Sequence, residues 1–306
     1  MNAKRTIGIV ARIFIGLVFV ASAVTKLLSI EAVDMFVFEH KLFSWDVTQF
    51  LTRFLIAFEG FLGLVLVCGF WQKVVRPVVI AFLAALTLYV LVKPLLFDVS
   101  QENCHCFGTV LVLDDTQTII KNLVLLALSA FMFWQEGVKL RFDKWIIAGL
   151  FVVSASLTYV VKAPDIIVYS LYDKSASLDM PKFELLLQDE KVEPLNLQSG
   201  KKVLCLYSTG CKHCKRTAMK LDVMIKRHDL NRADFVAVFW GKEESIKKFY
   251  KETGAEPLHS AIVPVGEFLA ATKGKQPLVV LLEDGKVVDL YRSITIDEGR
   301  IVEFLR

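Results

Sequence analysis

Five stretches in the first 161 residues, at 6–28, 47–70, 75–97, 118–134 and 145–161, are apolar over the length a helix needs to cross a bilayer. Within lipid a backbone must satisfy its own hydrogen bonds, so this part of the chain is expected to form a membrane helical bundle. With 55% hydrophobic residues and a mean hydropathy of +0.51, the chain is too apolar for an ordinary soluble enzyme. Lys4 and Arg5 imitate the start of a secretory leader. The apolar run after them is long for a leader, carries Arg12 and lacks a small-residue cleavage site before Lys26, so it reads as a retained span.

The connections between spans set an orientation. Lys4 and Arg5 precede the first span, Lys73 and Arg76 lie in the second connection, and Lys139, Arg141 and Lys144 lie in the fourth. The first connection carries Lys41 among Glu31, Asp34, Glu39 and Asp46, and the third carries Asp98, Glu102, Asp114 and Asp115 with no basic residue before Lys121. The positive-inside rule then places the N-terminus inside. An odd number of spans delivers the C-terminal half to the outside, which for a bacterial-type inner membrane is the periplasm, where disulfides persist. A net charge of +4, not gathered into a stripe, gives no reason to expect nucleic acid.

Beyond residue 163 the composition changes. Residues 164–200 are mixed and polar, punctuated by Pro164, Pro181 and Pro194, and read as a linker with one short strand at 183–187. Residues 201–306 alternate. Strands are expected at 202–207, 234–240, 278–282 and 286–291, and helices at 215–228, 243–253 and 265–271, which is the pattern of an α/β sheet. The expected organisation is therefore a membrane domain over 1–163, a linker over 164–200 and a globular domain over 201–306.

The six cysteines divide by setting. Cys211 and Cys214 form a CxxC between a strand and a helix, where free backbone N–H groups and the positive end of the helix dipole favour thiolate. His213, Lys212, Lys215 and Arg216 add positive charge. Cys104 and Cys106 form a Cys-His-Cys in the acidic third connection. A disulfide closed over one intervening residue is strained, and strain makes a pair oxidising. Cys205 and Cys68 read as small apolar fillers. The metal alternatives are half a zinc site at 211–214, with no second CxxC or His pair in that domain, or a partial site at 104–106 completed by His40; no metal is expected. Glu59 lies near the middle of the second span, where a charge is costly and usually faces a partner or a cavity. With Lys26 it is a candidate for holding a quinone head group or relaying protons; the alternative is an ion pair that fixes helix register.

These residues carry two resemblances. Residues 200–306 resemble the thioredoxin fold: besides the CxxC, Lys275-Gln276-Pro277 precedes a strand, the Asp284-Gly285 turn and a second strand. That resemblance implies a cis-proline at Pro277 packed against the CxxC, Cys211 as attacking and Cys214 as resolving residue. Cys-x-His-Cys is similar to the oxidising, DsbA-type end of the family, although Lys212 departs from the proline common there. Residues 6–136 resemble the MauE/DoxX-type redox-associated membrane proteins, a small four-helix bundle, through Cys104-His105-Cys106-Phe107-Gly108, Gly16-Leu17-Val18-Phe19 with Lys26, and Glu59 followed by Gly60 and Gly63.

Together these imply a membrane-bound thiol-disulfide oxidoreductase in which Cys104/Cys106 and Cys211/Cys214 exchange electrons. Its expected partners are the lipid bilayer, periplasmic thiol and disulfide client proteins, and a quinone as acceptor. The tethered arrangement is analogous to vitamin K epoxide reductase homologues joined to thioredoxin domains. Two alternatives stand beside it. A reductase relaying electrons outward, like DsbD or CcdA proteins, needs redox groups reachable from inside, and there only Cys68 is available. A non-enzymatic assembly or maturation factor of MauE type would bind thiols or metal without turnover.

Overall fold

The structure, a computed structural model, describes residues 3–96, 107–111, 113–134, 137–138, 141–171 and 176–306. It divides between Pro164 and Asp165 into two compact units.

The first unit contains α1 (Ala3–Leu28), α2 (Ile30–Glu39), α3 (Trp45–Cys68), α4 (Gln72–Leu96), α5 (Asp115–Phe131) and α6 (Asp143–Val161). Among the described residues, α1, α3, α4 and α6 are long and apolar enough to cross a membrane. The expected span at 118–134, α5, is shorter at 17 residues, but it runs into a 3-10 turn at Met132–Trp134, and together they reach about 32 Å. Asp114 caps α5 in a reciprocal box with Gln117, which fixes where it starts. Unforeseen was α2. Its Glu31, Asp34 and Glu39 suggested an exposed connection, yet Asp34 is fully buried and the helix packs on α3.

The core of the bundle lies where α1 crosses α3. A Cβ on Gly16 would stand 2.9 Å from the Gly63 carbonyl, and one on Gly63 would stand 2.8 Å from the Gly16 carbonyl. Lipid provides no hydrophobic drive between helices, so their association depends on such close backbone approach at small residues. Around the crossing, Ile15, Phe19, Leu62, Val65 and Leu66 pack with Val79, Leu83, Leu125 and Met132.

One end of the bundle gathers the end of α1, the start of α3, the end of α4 and the start of α5. There Lys93 pairs with Asp115 at 2.8 Å, and the Thr109 amide donates to Ser29 Oγ at 3.0 Å. The end of α6 joins them: Arg53 Nε donates to the Lys162 carbonyl and the Tyr159 hydroxyl to the Phe50 carbonyl, both at 2.9 Å. The chain therefore leaves the bundle at the end that carries the α4–α5 connection.

The second unit holds α7 (Asp165–Leu171), α8 (Met180–Leu187), β1 (Lys201–Ser208), α9 (Lys212–His228), β2 (Phe235–Trp240), α10 (Glu243–Thr253), β3 (His259–Val263), α11 (Val265–Thr272), β4 (Leu278–Glu283), β5 (Lys286–Arg292) and α12 (Glu298–Leu305). Its sheet has the order β3-β2-β1-β4-β5 among the described residues. β1, β2 and β3 run parallel, and β4 and β5 are antiparallel to their neighbours. The central strands are buried on both faces, as their unbroken apolar runs require.

Within the expected linker at 164–200, residues 176–197 pack on the sheet of this unit. Phe183, Leu186 and Leu187, spaced three and four apart, form the buried stripe of α8, with Asp179 as N-cap and Pro181 in the first turn. Helix therefore replaces the strand expected at 183–187. Val192, Leu195 and Leu197 continue onto the sheet beside Phe268 of α11. Asp165, the first residue of this unit, accepts from Arg216 Nη2 at 3.1 Å and from Lys220 Nζ at 3.2 Å, and Lys220 is only 2% exposed.

Two substitutions test this packing. Gly63→Val forces the α1–α3 crossing apart and is expected to lower bundle stability by about 1–3 kcal/mol or more, read as a shifted midpoint in detergent-induced unfolding. Asp165→Ala strands the buried Lys220 charge and is expected to cost about 3 kcal/mol, read by chemical denaturation of the full chain; no measurable change in either midpoint contradicts the corresponding contact.

Candidate functional site

β1 ends at Ser208, and two residues of turn lead to Cys211, the N-cap of α9. This geometry treats the two sulfurs differently. Cys211 is half-buried at the turn, whereas Cys214, one turn into the helix, is fully buried and its Sγ accepts from the Ser208 amide at 3.3 Å. A hydrogen bond from the Cys214 thiol is the largest influence on Cys211 and lowers its pKa to about 5, with the Cys214 and His213 amides and the His213 charge acting the same way. Burial is the first cause that pushes Cys214 far above the ordinary thiol range. At neutral pH the pair therefore holds one thiolate and one thiol, the state required of an attacking sulfur backed by a resolving one.

The flanking charges do less than their positions suggested. Lys215 is paired with Glu252, and Arg216 with Asp165, so neither is directed at the sulfur alone. Lys212 and His213 are exposed on the first turn. The Gln276–Pro277 peptide is cis. β1 and β4 pair as Leu206 with Leu278, so one further step of that register sets Pro277 opposite Tyr207, at the end of β1 that leads to Cys211. Trp240 Nε1 donates to Gln276 Oε1 at 3.0 Å, tying the end of β2 to the same edge. Cys205 is a core residue, and burial pushes its thiol up to about 12.

Cys104 and Cys106 lie outside the described residues. The next residue, Phe107, has its ring 4.9 Å from Lys121 Nζ. Among the described residues no cluster of three His, Cys, Asp or Glu side chains is placed to hold a metal. His40, considered as a ligand, has Nδ1 donating to the Phe36 carbonyl at 2.8 Å and Nε2 accepting from the Tyr89 hydroxyl at 2.6 Å.

Glu59 and Lys26 pair at 2.5 Å on the wall of a cavity of about 320 Å³ inside the helical unit. They form the ion pair weighed as the alternative for these residues, largely buried, and the pair faces a space. Lys121 lies within electrostatic reach of both. Arg53 and Lys93, which could have extended to the interface, pair instead with Asp34 and Asp115. Sequence reasoning passed over the His40–Tyr89 pair, whose members are 49 residues apart with no periodic signal linking them.

The chain is thus a bundle of membrane helices continuing into a thioredoxin-like domain with a half-buried low-pKa cysteine and a fully buried partner. Residues 4–135 match the model of the family described as Methylamine utilisation protein MauE, so the N-terminal unit is similar to that family. A relative spanning both units, "Protein TlpB" of Flavobacterium psychrophilum, is 26% identical over 96% of this chain and 93% of that protein. The similarity therefore extends over the fused arrangement as well as the bundle.

Because only the thiolate reacts, iodoacetamide modification of Cys211 in the reduced protein is expected to stay near its plateau at neutral pH and to fall below a midpoint near about 5, with Cys214 protected. A midpoint near the ~8.5 of an unperturbed thiol would contradict the hydrogen-bonded geometry.

Proposed function

We propose that this chain is a membrane-bound thiol-disulfide oxidoreductase whose thioredoxin-like domain works outside the cytoplasm, oxidising client dithiols and passing the electrons through Cys104–Cys106 to a quinone. The observation that carries the reading is the unequal protonation of Cys211 and Cys214. A sulfur stabilised as thiolate favours the reduced form of its pair, and such a pair is a strong oxidant when closed. In the forward step a client thiolate attacks Cys211 Sγ and displaces Cys214. A second client thiolate then attacks the client sulfur of the mixed disulfide, closing the client disulfide and releasing Cys211 as a stable thiolate.

Regeneration uses the same roles. The Cys211 thiolate attacks the Cys104–Cys106 disulfide, and Cys214, losing its proton, resolves the mixed disulfide. Two electrons then rest on Cys104 and Cys106 for transfer to the acceptor, with Glu59 and Lys26 at its polar end. His213 supports the Cys211 thiolate and Pro277 borders the exchange site. Exit of the chain at the bundle end that carries the α4–α5 connection favours both couples on one side of the bilayer. The basic residues of the opposite connections favour that side being the outer one.

In Cys214→Ser a mixed disulfide between Cys211 and one of Cys104 and Cys106 is expected to accumulate, because the Cys211 thiolate can still attack the Cys104–Cys106 disulfide and the resolving sulfur is gone. In the full chain reconstituted in lipid, decylubiquinone is expected to drive net client oxidation, and Cys104→Ser is expected to abolish it while leaving Cys211 alkylation intact. Client reduction instead of oxidation, or quinone-driven turnover that survives Cys104→Ser, would overturn the direction or the relay respectively.

A further inference from the structure

The cavity that Glu59 and Lys26 face is built for a particular shape of molecule. Its walls come from α1, α2, α3, α4 and α5 and are mostly apolar, with Val33, Phe36, Ile56, Phe82, Leu86 and Val90 among them. At about 320 Å³ it is at the small end of the range for cofactor sites, large enough for a single ring system. Two polar features interrupt the apolar wall: the Lys26–Glu59 pair, joining α1 to α3, and the His40–Tyr89 pair, joining the end of α2 to α4. An occupant needs an apolar body that can arrive through lipid and hydrogen-bonding groups at separate points. A ring with two carbonyls and an apolar tail meets both conditions.

The His40–Tyr89 pair adds a chemical property. His40 Nδ1 is committed to the Phe36 carbonyl, so Nε2 is the nitrogen that changes state. With Nε2 bare, the Tyr89 hydroxyl donates to it, and the tyrosine oxygen is left as an acceptor suited to a quinol hydroxyl. With Nε2 protonated, the histidine donates to the tyrosine oxygen, and the phenolic proton is free for a quinone carbonyl. Lys93, on the same side, is paired with Asp115 and has its ammonium 5.9 Å from the Phe36 ring centroid.

We propose that this cavity is the head-group site of a lipid-soluble quinone, with Tyr89 hydrogen-bonded to one carbonyl oxygen and His40 as the proton store behind it. Lys26, still paired with Glu59, is the donor for the second carbonyl. Oxidation of one dithiol of the chain to a disulfide releases two electrons and two protons, and the quinone takes up two of each to become quinol. One of those protons passes from His40 through Tyr89 and is replaced by one from the thiols. Tyr89 touches the substrate in this arrangement, whereas His40 acts through Tyr89 as a positioning and proton-holding residue. The inference rests on the oxidase reading for its electron source but not for its binding site, and the two can fail separately.

The experiment uses the full chain in nanodiscs. A photoreactive azido-quinone is crosslinked and the labelled peptides are mapped, with decylubiquinone and an oxygen-free phenyl analogue bearing the same tail as competitors. The expected label falls on peptides containing His40 and Tyr89, is displaced by decylubiquinone and not by the phenyl analogue, and persists in the Cys211→Ser/Cys214→Ser protein. Tyr89→Phe, which keeps the ring, is expected to weaken quinone binding about tenfold, the worth of one hydrogen bond. His40→Gln, which can still accept from Tyr89 but holds no exchangeable proton, is expected to leave binding within about twofold and to slow quinol formation about a hundredfold, the scale of a lost proton donor. Label spread over the lipid-facing surface, displacement by the phenyl analogue, a co-purifying phospholipid that decylubiquinone does not displace, or unchanged affinity in Tyr89→Phe would each overturn the site. Quinone bound as described but never reduced would leave the site standing and remove the oxidase reading; quinone-dependent thiol oxidation unaffected by Tyr89→Phe and His40→Gln would do the reverse.

Discussion

The bundle is constrained most by charges that cannot be left alone in lipid. Lys26 with Glu59, Arg53 with Asp34 and Lys93 with Asp115 place three cations against three carboxylates at one end of the helices. An unpaired charge at such depth costs several kcal/mol, so each pair fixes the register of one helix against another. Arg53 shows how far this extends: its guanidinium reaches both Asp34 oxygens, the Gln49 carbonyl and the Lys162 carbonyl, linking α2, α3 and the end of α6 through one side chain. The middle of the bundle is held differently, by close backbone approach at Gly16 and Gly63. A polar end and a tightly crossed middle leave the apolar space between them unfilled, and that space is the cavity.

The globular unit solves a different problem with hydrogen bonds. Two thiols three residues apart would be equivalent in a flexible chain. Placing one at the helix N-cap and the other inside the first turn, beneath the Ser208 amide, separates their proton affinities. Positive side chains contribute less than their number implies, because Lys215 and Arg216 are engaged with carboxylates of their own.

Much of this is legible in the sequence, for identifiable reasons. The long spans and the strands of the sheet announce themselves by uninterrupted apolar runs, and the CxxC by its place between strand and helix. The pieces that escape depend on contacts distant in sequence. Asp34 reads as a loop residue until Arg53 is beside it, and 176–200 reads as polar punctuation until Phe183, Leu186 and Val192 are seen against Phe268. β3 is five residues long with only alternate positions buried, too short to stand out from a turn-rich stretch. Tyr89 sits in an apolar span as an ordinary aromatic until His40 meets it.

Lys162 is hydrogen-bonded to the helical unit and Asp165 to the globular one, so Ala163 and Pro164 alone separate two anchored points. Proline has no backbone N–H and disfavours helical backbone at the residue before it, so Pro164 forbids α6 and α7 from merging into one continuous rod, and the boundary between the units is written into the covalent chain itself.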